Sequence, residues 1–307
     1  PEDLGIEHVF HVVDLRLECV ERIVLGHHDR ALRDGIECTR EDIFAYTGRT
    51  GKLCGTAAVS IADYLDFFGE ELRTHDQIVH FTISSDMSAC FQNANLAADE
   101  VGGVLVVDSR SLSSGQGLLV LRAAEMAAAG SSAEEIWQEC TELTGRVEAS
   151  FVVDSLDYLY KGGRCSALSA FGGNLLRLKP CIEVRGGKMV PGKKYRGKIE
   201  HVMLQYVAER VSARGDIDWT RAFITHTRCA PEAVAAVHRD YAAAGSRVVY
   251  ANTFGTAAKC LRGEDIEDLV AAGVRAARAG AGEGARVAVD LGPLGALLAP
   301  LGSVGFE

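Results

Sequence analysis

The stretch QIVHFTISSDMSACFQNA, residues 77–94, places a strand pattern, a cluster of hydroxyl groups and the start of a helix pattern in direct succession. Residues 77–84 are apolar and β-prone, and the pattern that follows predicts a helix over 86–99. Small polar side chains at such a junction have two ordinary uses. They cap the helix, or they hold a ligand oxygen at the positive end of the helix dipole. The spacing alone favours a cap at Ser85 or Asp86.

The same succession of strand and helix recurs along most of the chain and predicts an α/β fold with mainly parallel sheets. Further strands are predicted at 103–109, 149–155, 179–184, 221–227, 247–252 and 285–291. Further helices are predicted at 114–129, 132–145, 198–213, 231–244 and 264–279, with Ser132 as the cap of the helix at 132–145. The segment 156–200 is rich in Gly and basic residues, and it predicts a domain crossover made of turns and loops.

Composition limits the possible classes of protein. The chain has 307 residues, which suggests about two domains, and its net charge of -10 argues against a nucleic-acid or anionic-membrane surface. Nine cysteines are widely spaced without a CxxC, so we expect no zinc framework. Cys90 and Cys181 lie in apolar contexts and are expected to pack as small hydrophobic residues. We therefore expect a cytoplasmic protein without an integral membrane segment.

Three further segments carry groups that could bind a ligand or a partner. Thr56 lies between a Gly-bearing turn and an amphipathic helix, although the spacing is not that of a P-loop. Arg164 follows two glycines, and Lys194 and Arg196 lie in a basic stretch over 191–198. Each segment also has a plain structural interpretation. Thr56 is consistent with a helix cap, and the two basic segments are consistent with loops exposed to solvent.

Taken in order, the segments resemble the DegV family of bacterial fatty-acid-binding proteins. The matching motifs are TAAVS at 56–60, SSDMSAC at 84–90, DSRSLSSGQG at 108–117, LDYLYKGGR at 156–164 and KYRG at 194–197. The similarity extends over about residues 30–230. The chain departs from the family pattern at three positions in the first two motifs: it has Ala57 at the second position of the first motif, Ala89 where the pattern has glycine, and Cys90 where the pattern has threonine.

The resemblance implies two α/β domains of the DegV type with a lipid site between or within them. It implies that an acyl carboxylate meets the hydroxyl groups of Thr56 and Ser88, with Ser85 as a further candidate. A carboxylate in an apolar site needs such donors, because burying it without hydrogen bonds is very unfavourable. The resemblance also implies a carrier without a cofactor or catalytic residue, which presents a long-chain fatty acid to a fatty-acid kinase. Arg164, Lys194 and Arg196 are then candidates for the mouth of the site or for the partner surface.

The C-terminal segment resembles the start of a homocysteine S-methyltransferase domain. The resemblance rests on AVHRDYAAAGSRVVYANTFG at 236–255 and DLGPLGALLAPLG at 290–302, and it points to Asn252 and Thr253 as methyltransferase-like residues. This gives predicted domains of 1–147 and 148–235, both DegV-like, followed by a partial βα segment over 236–307.

Two enzymatic alternatives accompany the carrier interpretation. A methyltransferase of this type needs a zinc ion held by cysteines in a GGCCG motif, and the 307 residues contain no such motif, so zinc is expected only if a further region follows. The other alternative is a serine hydrolase that uses Ser88 with His80 or His226, but the chain lacks the GxSxG nucleophile motif.

Overall fold

In the computed structural model, the residues described are 22–24, 31–33, 38, 40–153, 156, 159, 178–218, 231–243, 248–251, 266–282 and 286–289. The chain divides into two compact units. The first comprises Pro1–Phe151, Leu156–Ala170 and Ile182–Gly192, and the second comprises Val152–Ser155, Phe171–Cys181 and Lys193–Glu307. The domain limits at 147 and 235 stay predictions.

Strands and helices alternate in the first unit. Its strands are β1 (Arg22–Val24), β2 (Ala31–Arg33), β3 (Gly55–Ala57), β4 (Ile78–Thr82) and β5 (Val104–Asp108). Its helices are α1 (Arg40–Thr50), α2 (Ile61–Glu71), α3 (Cys90–Val101), α4 (Ser113–Ala128) and α5 (Ala133–Leu143), followed by a 3₁₀ turn at Thr144–Arg146. The predicted α/β class is confirmed, although β1 pairs with β2 and β3 in antiparallel fashion.

The parallel pair β4–β5 forms the centre of this unit, with Ile78 opposite Val104 and Thr82 opposite Asp108. Successive side chains of a strand point to opposite faces, so each strand contributes to two cores. One core joins Phe81 and Val107 to residues of α4 and α5, and the other joins Val106 to residues of α2 and α3. The carboxyl ends of β4 and β5 therefore reach the same edge of the sheet with helices packed on both faces.

Two helices begin with side-chain caps that fix their first turns. In α5, Ser132 accepts a hydrogen bond from the Glu135 backbone and the Glu135 carboxylate accepts one from the Ser132 backbone, which confirms the predicted cap. In α2, Ser60 and Asp63 form the same reciprocal pair. Thr56 is therefore not a helix cap; it lies one segment earlier, in β3.

The remaining elements are β6 (Ser150–Val152), β7 (Leu178–Arg185), β8 (Lys188–Arg196), α6 (Ile199–Ser212), α7 (Pro231–Ala243), β9 (Val248–Ala251), α8 (Ile266–Ala281) and β10 (Arg286–Val289). A three-stranded sheet has the order β6–β7–β8, and β9 and β10 form a parallel pair. Cys181 is buried with Tyr195 and Val202 in a small core, and Cys90 is buried among residues of α2 and α3, as expected for both cysteines.

The basic stretch 191–198 was predicted to be a loop, but its residues up to Arg196 belong to the strand β8, so this prediction was wrong. Gly186 and Gly187 have φ angles of +56° and +79°, which are typical of a two-residue hairpin turn that joins β7 to β8. Pairing with β7 outweighs the low strand propensity of Pro191 and Gly192.

The remaining predicted elements agree with the structure to within a few residues, with two exceptions. The predicted strand 221–227 lies outside the described residues. The helix predicted over 86–99 begins only at Cys90, because residues 84–89 fold into a turn first. Within the described ranges, the helices lack the length and apolar character needed to cross a membrane.

Candidate functional site

The loops that follow β4 and β5 are joined at their first residues by backbone hydrogen bonds. The backbone N–H of Ser84 donates to the Ser111 carbonyl at 2.8 Å, and that of Ser109 donates to the Thr82 carbonyl at 3.2 Å. All four of these residues are buried. Within the described part of the chain, the hydroxyl groups of Thr82 and Ser111 have no hydrogen-bond partner. This edge of the sheet is thus rich in hydroxyl groups.

Ser88 lies two residues before the first residue of α3, Cys90. The residue before the helix, Ala89, provides no side-chain cap, so the expectation that Ser85 or Asp86 caps this helix was wrong. The Ser88 hydroxyl instead accepts a hydrogen bond from the Cys90 backbone N–H at 3.3 Å and donates to the Cys90 thiol sulfur at 3.1 Å. Sulfur is a weak acceptor, so the Ser88 proton is readily available to a better one.

The segment that carries Thr56 is held near the first turn of α3. Thr56 is exposed in β3, opposite Ile23 of β1. Three residues later, the Val59 carbonyl accepts a hydrogen bond of 2.7 Å from the Asn93 side chain of α3. This hydrogen bond joins the TAAVS motif to α3 at Val59.

Ser85 is bonded to Asp108, the last residue of β5, and to Arg110, which follows that strand. Its hydroxyl donates to the Asp108 carboxylate at 2.5 Å, and its backbone N–H donates to the same carboxylate at 3.1 Å. Arg110 donates to the Ser85 oxygen at 3.1 Å. To bind a ligand, the Ser85 hydroxyl would have to break its hydrogen bond to Asp108. A direct contact between Ser85 and a ligand stays a prediction.

Asp86 is surrounded by basic groups. Its carboxylate lies 2.7 Å from Arg110 Nη1 and 3.4 Å from Lys188 Nζ. Partial loss of water acts to raise the pKa of Asp86. The hydrogen bond from Arg110 and the charges of Lys188 and Arg110 outweigh this effect, and together they hold the pKa below its usual value. Asp86 is therefore ionised at neutral pH and holds both cations.

The β7–β8 turn packs directly against this network. The Ser84 hydroxyl donates to the Gly187 carbonyl at 2.7 Å, and Arg110 Nη2 donates to the Gly186 carbonyl at 2.5 Å. A Cβ atom at Gly187 would lie 2.6 Å from both Arg110 Cζ and Ser84 Oγ. Only glycine fits at this close approach.

The role of Arg110 and of the β7–β8 turn was missed at the level of sequence. The DSR sequence at 108–110 directly after a predicted strand was a usable signal for Asp108 and Arg110. No local signal pairs either residue with Gly186 or Ser85, because these contacts span 23 to 76 residues.

The predicted basic residues lie in separate parts of the chain. Lys194 and Arg196 are exposed on β8, whereas Arg164 lies outside the described residues. The neighbouring Lys193 and Tyr195 both contact Glu209, at 2.6 and 2.8 Å respectively. Asn252 and Thr253, the methyltransferase-like residues, also lie outside the described residues.

His80 is packed against aromatic rings. Its ring centroid lies 5.2 Å from that of Phe68 and 5.4 Å from that of Tyr64. Burial lowers the pKa of His80 to about 4. These contacts are those of a core residue on β4, so nothing in the packing favours His80 as the base of a serine hydrolase. The other candidate base, His226, lies outside the described residues.

Comparison with known proteins gives consistent matches. A family model described as uncharacterised proteins of the DegV family matches residues 16–259. A DegV domain-containing protein of Caldanaerobacter subterraneus is 32% identical over 200 residues, which cover 64% of this chain and 68% of the relative.

Two solved structures illustrate the similarity in fold. A fatty-acid-binding DegV family protein from Thermus thermophilus has a TM-score of 0.62 and 30% identity, covering 74% of this chain and 80% of that chain. The fatty acid kinase (Fak) B3 protein of Streptococcus pneumoniae, loaded with linoleic acid, has a TM-score of 0.55 and 24% identity, covering 63% of this chain and 69% of that one. At this identity the second structure supports the fold alone.

The comparisons also revise the expected end of the family resemblance. The DegV match was expected to stop near residue 230, but it continues to residue 259. It therefore includes the stretch 236–255, on which the methyltransferase resemblance rested. None of these findings shows a methyltransferase-like piece at the C-terminus.

Proposed function

Because the chain belongs to the DegV family, we propose that it is a fatty-acid carrier, which binds a long-chain acyl carboxylate and presents it to a fatty-acid kinase. Fatty acid binding is a property of the related Thermus thermophilus protein. The observation that carries the proposal for this chain is the arrangement at Ser88, whose hydroxyl group lies at the start of a helix where the N-cap residue, Ala89, provides no side-chain hydrogen bond.

The start of α3 offers a suitable environment for a carboxylate. Helix N-termini combine free backbone N–H groups with the positive end of the dipole. In the proposed complex, the Ser88 hydroxyl turns from the Cys90 sulfur to a carboxylate oxygen. Hydrogen bonds to a charged acceptor are about twice as strong as neutral ones, so this exchange is favourable.

Thr56 supplies a second hydroxyl group in this proposal. Its exposed position in β3 leaves room for a ligand, and the Val59–Asn93 hydrogen bond keeps its segment near α3. Ser85 contributes mainly by fixing the loop, since its hydroxyl already donates to Asp108. The acyl chain adds affinity through burial, at about 0.8 kcal/mol for each CH₂ group removed from water.

We propose a partner-binding role for the basic strand β8. Lys194 and Arg196 are exposed, and they offer a local positive surface on a chain whose net charge is -10. Such a surface suits an acidic face of a kinase or an acyl-phosphate product, because charge complementarity speeds encounter and fixes orientation. Arg164 belongs to the same proposal on the basis of its motif. The kinase partner is proposed from the resemblance to the DegV family, and the Fak B3 protein adds only the shared fold.

In this role the protein has no catalytic residue of its own. The hydroxyl groups at the site bind and orient the carboxylate, and the chemistry of phosphorylation belongs to the partner. No observation in the described residues favours the methyltransferase alternative.

The proposal is tested by native mass spectrometry with identification of any lipid that co-purifies. Wild type is compared with Ser88→Ala and with Ser212→Ala, a control at an exposed serine at the end of α6. We expect one fatty acid per chain in wild type and in the control, and a several-fold lower occupancy in Ser88→Ala. A wild-type protein that stays empty when offered long-chain fatty acids would refute the proposal.

A further inference from the structure

Arg110 connects three loops of the first unit. Its guanidinium contacts Ser85 and Asp86 in the loop after β4, Asp108 at the end of β5, and the Gly186 carbonyl in the β7–β8 turn. We call this set of five residues the Arg110 clasp. Each of its contacts joins segments that are distant in sequence, except the contact with Asp108.

The backbone of Arg110 is held in an unusual conformation. Its φ angle of +50° is uncommon for a residue other than glycine. The Arg110 backbone N–H donates to Asp108 Oδ1 at 3.0 Å, which fixes this turn. Strained positions of this kind persist where the surrounding contacts hold them, and they concentrate at functional sites. The conformation lets the guanidinium reach the loop after β4.

A short series of hydrogen bonds leads from the clasp to Ser88. The Ser84 carbonyl accepts hydrogen bonds from the backbone N–H groups of Met87 and Ser88, at 2.9 and 3.2 Å. These bonds close a compact turn over residues 84–88. Arg110 holds the turn at Ser85 and Asp86, so the position of Ser88 depends on the clasp.

The charges of the clasp and its neighbour Lys188 cancel. Arg110 and Lys188 carry two positive charges, and Asp86 and Asp108 carry two negative charges, all within 3.5 Å of an opposite partner. A neutral cluster gives little attraction to a distant carboxylate, so direct charge pairing of Arg110 with a ligand is not its role. What the cluster provides is a fixed geometry for the loop.

We propose that Arg110 is a positioning residue for the ligand carboxylate: it fixes the turn over residues 84–88, and through it the Ser88 hydroxyl, without touching the ligand. This inference rests on the proposed function. It adds a residue that does not contact the ligand. Recognition of the carboxylate depends on this residue, whereas recognition of the acyl chain does not.

The test compares two probes that differ only in the head group, palmitate and hexadecanol. Arg110→Gln is measured beside wild type and beside Arg122→Gln, a control in which the lost ion pair with Glu139 lies on the surface of the first unit. We expect Arg110→Gln to bind palmitate about tenfold more weakly, which is the effect of losing about 1.4 kcal/mol, and to bind hexadecanol within about twofold of wild type. We expect Arg122→Gln to match wild type with both probes.

Two results would overturn the inference while leaving the proposed function intact. One is an Arg110→Gln protein with wild-type affinity for palmitate. The other is an equal loss of affinity for both probes, which would indicate a general structural role. A wild-type protein that binds neither probe would instead overturn the proposed function, and the inference with it.

A second variant keeps the test informative if Arg110→Gln fails to fold. Arg110→Gly removes the side chain at a φ angle that glycine adopts freely, so it adds no backbone strain. Methylguanidinium, at concentrations well below those that unfold proteins, is expected to restore palmitate binding to Arg110→Gly and to leave hexadecanol binding unchanged. Absence of this rescue in a folded Arg110→Gly protein that has lost palmitate binding would contradict the positioning role.

Discussion

Replacing Gly187 with alanine is expected to lower the free energy of unfolding by about 2 kcal/mol more than the same replacement at Gly186. The two glycines are adjacent in one turn and both have positive φ angles, +56° at Gly186 and +79° at Gly187. Alanine in this region is unfavourable by about 1–2 kcal/mol at either position, so this contribution largely cancels between the two variants.

The difference arises from what the new methyl group meets. At Gly186 a Cβ has no neighbour within 4 Å, whereas at Gly187 it would lie 2.6 Å from Ser84 Oγ and from Arg110 Cζ. The Ser84 hydroxyl must then turn away from the Gly187 carbonyl. Leaving a buried hydroxyl without its partner costs about 1–3 kcal/mol. Displacing the partly exposed Arg110 guanidinium adds at most about 1 kcal/mol.

The measurement is urea unfolding of the parent chain and both variants, all carrying Trp219→Phe so that Trp137 is the single tryptophan, followed by the fluorescence of Trp137. The indole of this residue donates to the Val106 carbonyl of β5 at 2.9 Å, so its signal reports on the first unit. Unchanged m-values would make the free energies comparable. If the free energies of unfolding of the two variants differ by less than about 0.5 kcal/mol, the close packing of the turn against Ser84 and Arg110 is refuted.

Two further predictions concern the first unit. The pKa of His80, lowered to about 4 by burial, lies below the value of about 6.5 for an unfolded chain, so the unfolded state binds the proton first and stability falls as the pH drops from 6.5 to 4. We expect wild type to lose up to about 3 kcal/mol more over this interval than His80→Gln, measured as unfolding free energy against pH, and parallel curves would contradict the assignment. Ser132→Ala is expected to lower the unfolding free energy by about 1 kcal/mol through loss of the capping pair with Glu135, whereas Ser131→Ala should change it by less than half of that; equal effects in urea unfolding would exclude the cap as the cause.

The elements that local sequence predicts well are those whose pattern matches their final environment. β4 and β5 are apolar runs that end up between two layers of helices, and α5 carries its own cap in Ser132 and Glu135. For β8 the local sequence predicts a loop, although the segment forms a strand. Pro191, Gly192 and the lysines favour a loop, and the strand forms because the Gly186–Gly187 turn brings the segment back along β7.

The candidate site also contains residues that the sequence predicts and residues that it does not. Ser88 and Thr56 are predicted from sequence because their motifs are compact and resemble those of a known family, and their contact with a ligand stays a prediction. The Arg110 clasp could not be predicted, since it consists of single contacts between loops that are far apart in the chain. The start of α3 was misplaced for a related reason. Ser85 and Asp86 resemble a cap in sequence, but their side chains bond to Asp108 and Arg110 instead.

The substitution of Cys90 for the threonine of the family pattern follows the same physical logic. A threonine hydroxyl next to Ser88 would be both a donor and a strong acceptor, and it could add a hydrogen bond to a carboxylate. The thiol sulfur is a weak acceptor and only a weak donor. It accepts the hydrogen bond of the Ser88 hydroxyl, at an oxygen–sulfur distance of 3.1 Å, without competing strongly with a ligand for that hydroxyl. In the proposed site, which then has fewer strong donors, recognition of a carboxylate would depend more on how accurately the hydroxyl groups of Ser88 and Thr56 are placed. A loop fixed by Arg110 and by the β7–β8 turn meets this requirement, because a preorganised donor gains the full energy of its hydrogen bond without an ordering cost.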